Sequence, residues 1–222
     1  MTRANLEPAP NAKVGKEEAL AVLTDEILDQ TLAPGTPLVE RVLAERFQLS
    51  RTPIREILRR LERDRLVDVR PNQGVFVRTP TVRDLRELFE LRIALEPMAA
   101  GSAARNRPDD GVRTVRELFD EARARGEDDP KRLVTLGQTL HDAIAEWTAN
   151  ALLIEVYGLL RKQTRLVRHM GKLTPDLENR SFYEHLAILD AVERRDEHAA
   201  RDRMRGHLQR TDSDLSRWFG SA

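Results

Sequence analysis

Residues 50–59 read Ser50-Arg51-Thr52-Pro53-Ile54-Arg55-Glu56-Ile57-Leu58-Arg59. Arg51, Arg55 and Arg59 recur at i, i+4 and i+8 and so stack along one helical face. Ile54, Ile57, Leu58 and Leu61 form the opposite stripe, as a helix packed on a small core requires. Such a helix fits a DNA major groove, where guanidinium forks reach phosphates and guanine edges. The competing reading is a solvated, salt-bridged surface helix, because Glu56 and Glu62 sit among the arginines. Two helix starts are open: Ser50 as N-cap, or Thr52 with Pro53 at the first helical position.

The flanking sequence decides between the two readings. Upstream, the spacing predicts one helix over residues 16–32, carrying Leu20, Leu23 and Ile27 and stopped by Pro34-Gly35. A shorter helix over residues 39–47 carries Val42, Leu43 and Phe47, and Gln48-Leu49 makes a tight turn into the arginine helix. Downstream of Arg65 the period changes from helical to alternating. Residues 66–70 and 75–78 read as two strands joined at Pro71-Asn72-Gln73-Gly74, with Gly74 where a positive φ is needed. Three helices followed by a small hairpin is a winged helix-turn-helix, and agreement in order, length and spacing favours DNA binding over a salt-bridged surface.

Composition bounds the rest. The 222 residues suit two modest domains, with 40% hydrophobic and 33% charged residues. Lys and Arg (37) balance Asp and Glu (37), so DNA contact must come from locally placed charge rather than a basic coat. Residues 50–70 supply it, with seven arginines against four acids. No apolar run is long enough for a membrane helix, and residues 1–18 have no secretory h-region. Cysteine is absent, which removes disulfides and thiolate metal sites and fits a cytoplasmic protein. From Thr81 onward the pattern is helical throughout, with a first helix reaching Pro97 and later boundaries at Arg107-Pro108, Gly126, Asp129-Pro130, Asn150, Gly171 and Thr174-Pro175. We therefore expect a mainly α protein: a disordered tail over 1–15, the winged domain over 16–78, a linker over 79–82, and an all-α antiparallel bundle over 83–218.

The stretch GTPLVERVLAERFQLSRTPIREILRRLERDRLV with the NQGVFV wing resembles the DNA-binding domain of GntR-type bacterial transcription regulators. VRDLRELFELRIALEPMAAGSAA, LHDAIAEWTANALL, EHLAILDAVERRD and MRGHL resemble the FCD effector domain of the FadR-like subfamily. The resemblance covers roughly residues 16–215. It implies a homodimeric regulator, most often a repressor, that binds a near-palindromic DNA operator. It also implies a helical domain that takes a small effector, commonly a carboxylate. Carried over residue by residue, Arg41, Arg51 and Arg55 match the family's DNA-contacting arginines. Ser50 or Thr52 would touch phosphate, and the wing around Asn72 to Gly74 would approach the minor groove. The plainer reading of Arg41 is an ion pair with Glu40 or Glu45, and Arg59 and Arg60 are read as phosphate contacts or solvent-facing.

His141, His185 and His207 lie on three separate predicted helices and match positions that are metal ligands in many FCD domains. Imidazoles converging from different helices suit a divalent metal, zinc or nickel, with open positions for an effector carboxylate. Gly137, Ala145 and Thr148 share the His141 face, and all are small enough to leave room there. The family's fourth ligand, an Asp one turn before the first His, is replaced by Gly137, and Asp142 points about 100° away around the helix. A metal completed by water and a metal-free pocket of neutral histidines both remain open. Arg92 resembles the family arginine that pairs with an effector carboxylate; its alternative is an ion pair with Glu96. Trp147, Tyr157 and Tyr183 are candidates to line the cavity or to pack in the core. A different class of function, a metal-dependent hydrolase-like domain fused to a DNA anchor, lacks an acid–base partner at defined spacing from the histidines.

Overall fold

The apolar stripes of the first 80 residues close on one another in the computed structural model, which describes residues 14–168 and 174–220. Of the expected tail over 1–15, residues 1–13 lie outside the described residues, as does the expected boundary at Gly171; Val14 is buried in the first core and Gly15 caps α1, so the order begins earlier than expected. Helices α1 (Lys16–Leu28), α2 (Glu40–Phe47) and α3 (Arg51–Arg63) precede an antiparallel pair, β1 (Val67–Arg70) and β2 (Gly74–Val77). Leu23, Ile27, Leu43, Phe47, Ile54, Ile57, Leu61, Leu66 and Val77 form one buried core. Each such side chain contributes about 1.5–3 kcal/mol by leaving water.

Helix α1 ends four residues before the expected limit. Gln30 adopts φ 65°, and the Thr31 amide donates to Asp29 Oδ1 at 2.9 Å. A local Asx bond therefore competes with the helical ladder before Pro34 is reached. Ser50 is the N-cap of α3 in extended conformation, which settles the choice of helix start and puts Pro53 at the third helical position. The hairpin register pairs Arg70 with Gly74 and Val67 with Val77. Gly74 has φ 114°, as the turn requires, and Asn72 shares the positive φ at 59°. An element not anticipated is a short edge beside the hairpin. Pro37 bridges Phe76, and the Gly35 and Leu38 amides donate to Val77 and Val75 carbonyls at 2.9 and 2.8 Å.

The remaining helices are α4 (Val82–Asn106), α5 (Asp109–Ala124), α6 (Pro130–Trp147), α7 (Ala151–Arg168), α8 (Pro175–Glu193) and α9 (Glu197–Gly220). Residues 14–81 with 161–168 form one compact unit, and residues 82–160 with 174–220 form the other. Leu166 belongs to the first unit's core, and Lys162 there holds Asp64 at 2.5 Å. In the second unit α4 packs most extensively on α9. Ala99, Ala100, Ala103 and Ala104 are buried, and the Arg201 side chain runs so close to Gly101 that a Cβ there would collide with it.

Helix α4 passes through Pro97, where the sequence suggested an end. Proline removes the bond to the Ile93 carbonyl, a cost of about 3 kcal/mol in a helix interior. The buried run on both sides of it, from Leu88 to Ala104, offsets that cost. Asp129 and Thr174 cap α6 and α8 by accepting from the Lys131 and Leu177 amides, each followed by a proline at the helix start.

Candidate functional site

The winged unit presents its charge on α3. Ile54, Ile57, Leu58 and Leu61 are buried, so Arg51, Thr52, Arg55, Arg59 and Arg60 are forced outward. Arg51 makes no ion pair among the described residues. Arg55 does: its Nε lies 3.0 Å from both carboxylate oxygens of Glu40, a partner the linear sequence did not suggest. Arg41 pairs with Glu45 at 2.8 Å, the plainer of its two readings, and both side chains are about two-thirds exposed. Exposed pairs of this kind are worth about 0–1 kcal/mol, so neither arginine is locked. Arg60 is drawn to Glu17 at 2.9 Å, on the side facing α1. Ser50 is exposed and its side chain makes no capping bond. Residues 71–74 are exposed at the wing tip, and Arg70 lies over the Phe76 ring at 4.4 Å.

The helical unit gathers the three histidines. His141 of α6, His185 of α8 and His207 of α9 are buried, and among the described residues they form the one group of candidate metal ligands. His185 Nε2 lies 3.2 Å from His141 Nε2 and 3.1 Å from His207 Nε2. Two nitrogens bound to one ion at about 2.0–2.1 Å stand about 3.4 Å apart at a tetrahedral angle and about 2.9 Å apart at a right angle. Both of these spacings fall within that range, and one ligand nitrogen from each of the three histidines lies within 4.8 Å of the other two, so the donor set fits a divalent cation.

Each outer histidine has a carboxylate behind it. His141 Nδ1 donates to Glu96 Oε2 at 2.5 Å, and Arg92 Nε donates to Glu96 Oε1 at 2.6 Å. His207 Nδ1 donates to Glu184 Oε2 at 2.8 Å, and Arg210 Nε donates to Glu184 Oε1 at 2.5 Å. Burial opposes ionisation of Glu96, but Arg92 and His141 outweigh it and hold the carboxyl well below its usual range. Burial likewise opposes ionisation of Glu184, and its bonds to His207 and Arg210 again lower it. Burial pushes His207 down to about 4, against the pull of Glu184. His207 is therefore a neutral imidazole near pH 7, the form that ligates metal.

Of the two readings of Arg92, the ion pair is present: Glu96 pairs with it in the interior. The room beside His141 is taken. The His185 ring packs so closely on Gly137 that a Cβ there would collide with it. Tyr183 is 59% exposed and stacks edge-on against Phe182, so it does not line the histidine cluster. Trp147 is core, its indole lying against Gly111. Tyr157 is half-buried and near enough to Arg92 to stabilise its charge. Sequence reasoning missed Glu184 and Arg210, and gave Glu96 only the part of an ion-pair partner. An open cleft of about 340 Å³, lined by Arg180, Tyr183, Glu184, Ala187, Arg203 and Arg210, adjoins the second carboxylate.

A winged helix-turn-helix with an arginine-faced helix, together with a helical bundle enclosing a histidine cluster, defines a DNA-binding transcription regulator. The chain belongs to the GntR family of bacterial regulatory proteins and carries an FCD domain: the gntR family model matches residues 16–77 and the FCD domain model residues 87–210. Among curated relatives, a Streptomyces ambofaciens HTH-type transcriptional regulator encoded in an unstable DNA locus is 30% identical over 93% of this chain and 87% of its own. The HTH-type transcriptional repressor RspR of Escherichia coli is 25% identical over 91% of this chain and 92% of its own. Among solved structures, a GntR transcriptional regulator from Rhodococcus sp. RHA1 aligns with TM-score 0.75 and 27% identity, covering 90% of this chain and 96% of that one. No described helix is long and apolar enough to cross a membrane.

Proposed function

We propose that this protein is a cytoplasmic, homodimeric repressor whose hold on a near-palindromic operator is set by a metal-dependent carboxylate effector in the helical unit. The observation that carries this reading is the convergence of three buried histidine Nε2 atoms in the FCD unit of a chain that also bears an arginine-faced reading helix.

At the DNA, Arg51 and Arg55 enter the major groove from the first turns of α3, with Ser50 and Thr52 on phosphate beside the helix N-terminus. Arg41 touches the backbone after giving up Glu45, and Gly74 lets the wing approach the minor groove. The surface pairs that Arg41 and Arg55 must release are worth about 0–1 kcal/mol each. A good base contact returns about 1–3 kcal/mol, so the exchange favours DNA.

Dimerisation is supported by α7, where Leu152, Val156 and Leu159 repeat at i, i+4 and i+7 and are 70%, 41% and 36% exposed. An exposed apolar row of this kind can pack on the same row of a second copy across a two-fold axis, as in the isologous interface of a homodimer.

At the sensor, His141, His185 and His207 would hold zinc or nickel, which when bound supplies a positive centre for an anionic ligand. The chain brings no fourth protein ligand at Gly137, so a carboxylate oxygen from the effector takes that role. Arg92 spends its Nε on Glu96, and its terminal nitrogens serve as donors to the effector. The alternative hydrolase reading gains nothing from the geometry. Glu96 and Glu184, the carboxylates bonded to the cluster, are each committed to a histidine Nδ1 and an arginine.

Operator affinity measured by fluorescence anisotropy, with and without zinc and a panel of small carboxylates, tests this reading. Coupling of the usual size shifts the affinity about 5–150-fold for at least one metal and carboxylate combination. An operator affinity that stays constant across metals and carboxylates, and equal in His185→Ala, contradicts it.

A further inference from the structure

A histidine side chain becomes a ligand only in one of its two neutral tautomers, and which one is set by the partner of the other nitrogen. The cluster has two such partners arranged alike. On one side Arg92 holds Glu96, and Glu96 receives His141 Nδ1. On the other side Arg210 holds Glu184, and Glu184 receives His207 Nδ1. Each carboxylate gives one oxygen to its arginine and the other to its histidine, so it cannot rotate without breaking both bonds. An ionised carboxylate only accepts, and the facing Nδ1 must therefore carry the proton. In a neutral ring so held, the far side is a bare Nε2 lone pair, and His141 and His207 aim theirs at His185 Nε2, 3.2 and 3.1 Å away. A proton on His185 Nε2 would satisfy only one of these lone pairs at a time, whereas a cation satisfies all three nitrogens.

We propose that Glu96 and Glu184 are positioning residues, each braced by its own arginine, that fix His141 and His207 in the Nδ1–H tautomer and thereby create an inward-facing nitrogen triad. The two sides differ in exposure. Arg92 and Glu96 are deeply buried, at 6% and 3% side-chain exposure, while Arg210 is 50% exposed with Glu184 at 15%. The Glu184 side is therefore the adjustable one: it borders the open cleft that Arg210 and Arg203 line, and Arg210 can be drawn away from it at little cost. This assignment rests on the metal reading above for its consequence, but the tautomers are a property of the metal-free protein and are measured independently of it.

The test combines two readouts on the full chain. In metal-free, nitrogen-15-labelled protein, long-range nitrogen–proton correlation spectra report the tautomer of each histidine, and competition with a chromophoric chelator reports zinc affinity. His141 and His207 are expected as Nδ1–H tautomers. Glu184→Ala, chosen because its site is less buried than Glu96, releases His207 to a mixture of tautomers and weakens zinc about 10–100-fold. Glu184→Gln combined with Arg210→Ala leaves the single amide oxygen to accept from Nδ1, keeps the tautomer and recovers most of the affinity; Arg210→Ala alone keeps the tautomer. A His207 that keeps the Nδ1–H tautomer in Glu184→Ala overturns the assignment, as does zinc affinity unchanged in that variant. If the wild type takes up no divalent ion while both histidines are Nδ1–H and His207 changes in Glu184→Ala, the positioning role stands and the metal reading alone has failed.

Discussion

Replacing Gly137 with aspartate restores, on paper, the carboxylate that the FCD resemblance places one turn before the first histidine. The structure predicts the opposite of a restored site. The volume beside the Gly137 Cα is filled by the His185 ring, and any Cβ collides with that ring before a carboxylate can reach the metal position. His185 is 3% exposed and its ring stands edge-on to Phe119, centroids 6.5 Å apart, with Phe119 stacked on Phe182 at 5.4 Å. The ring can leave only by disturbing that packing. Overpacking a filled interior costs about 1–3 kcal/mol. In a chain of this length each kcal/mol moves the midpoint about 2–4 °C, so Gly137→Ala should lower Tm by about 2–12 °C. Gly137→Asp should lower it further, because the new carboxylate is buried without an arginine of its own. Displacing His185 also removes one nitrogen from the triad, so zinc affinity falls in both variants. Thermal melts in the presence of chelator, paired with chelator-competition titrations of zinc, separate the two effects. The reasoning is refuted if Gly137→Ala melts and binds zinc like the parent, or if Gly137→Asp binds zinc more tightly than the parent.

Three further outcomes follow from the same geometry. Arg51→Ala and Arg55→Ala should each cost about 1–3 kcal/mol of specific operator binding in anisotropy titrations, with little effect on nonspecific duplex; equal losses on both kinds of DNA would reduce these arginines to phosphate contacts. In metal-free protein, His207 has a folded pKa of about 4, below its unfolded value of about 6.5. The unfolded chain then binds the proton first, so stability is highest above pH 6.5 and falls by up to about 3 kcal/mol as pH drops towards 4. Urea melts across that window read the slope, and a flat profile equal to that of His207→Gln would contradict it. Leu152→Lys with Val156→Lys puts like charges on the exposed row of α7 and should shift sedimentation from dimer to monomer; an unaltered dimer would move the interface elsewhere.

Much of this was legible in residue spacing. The i, i+4, i+8 arginines and the four buried aliphatics fixed both faces of α3, and the switch from helical to alternating period fixed the hairpin. Pro97 was misread as a boundary because local propensity favours a stop there, whereas the burial that sustains the helix is tertiary. The edge at Pro37 escaped because a single bridge leaves no alternating pattern. The histidines were found from their separate helices, but their partners were not. Glu96 was read as a local partner of Arg92, and its second oxygen serves a histidine 45 residues away. Glu184 adjoins His185 in sequence yet points elsewhere around α8 and serves His207, as the helical period of about 100° per residue demands. Gly137 was read as space, and only packing revealed that the third ring fills it.

The account rests most directly on α3 as a sequence-reading helix presented twice by a dimer. Selecting bound duplexes from a random-sequence pool with the full-length protein measures this in one experiment. The account predicts a near-palindrome whose half-sites lie about 34–36 Å apart along the duplex, with the preference lost in Arg51→Ala with Arg55→Ala. A pool recovered without sequence enrichment, or enriched identically by that double variant, would contradict it.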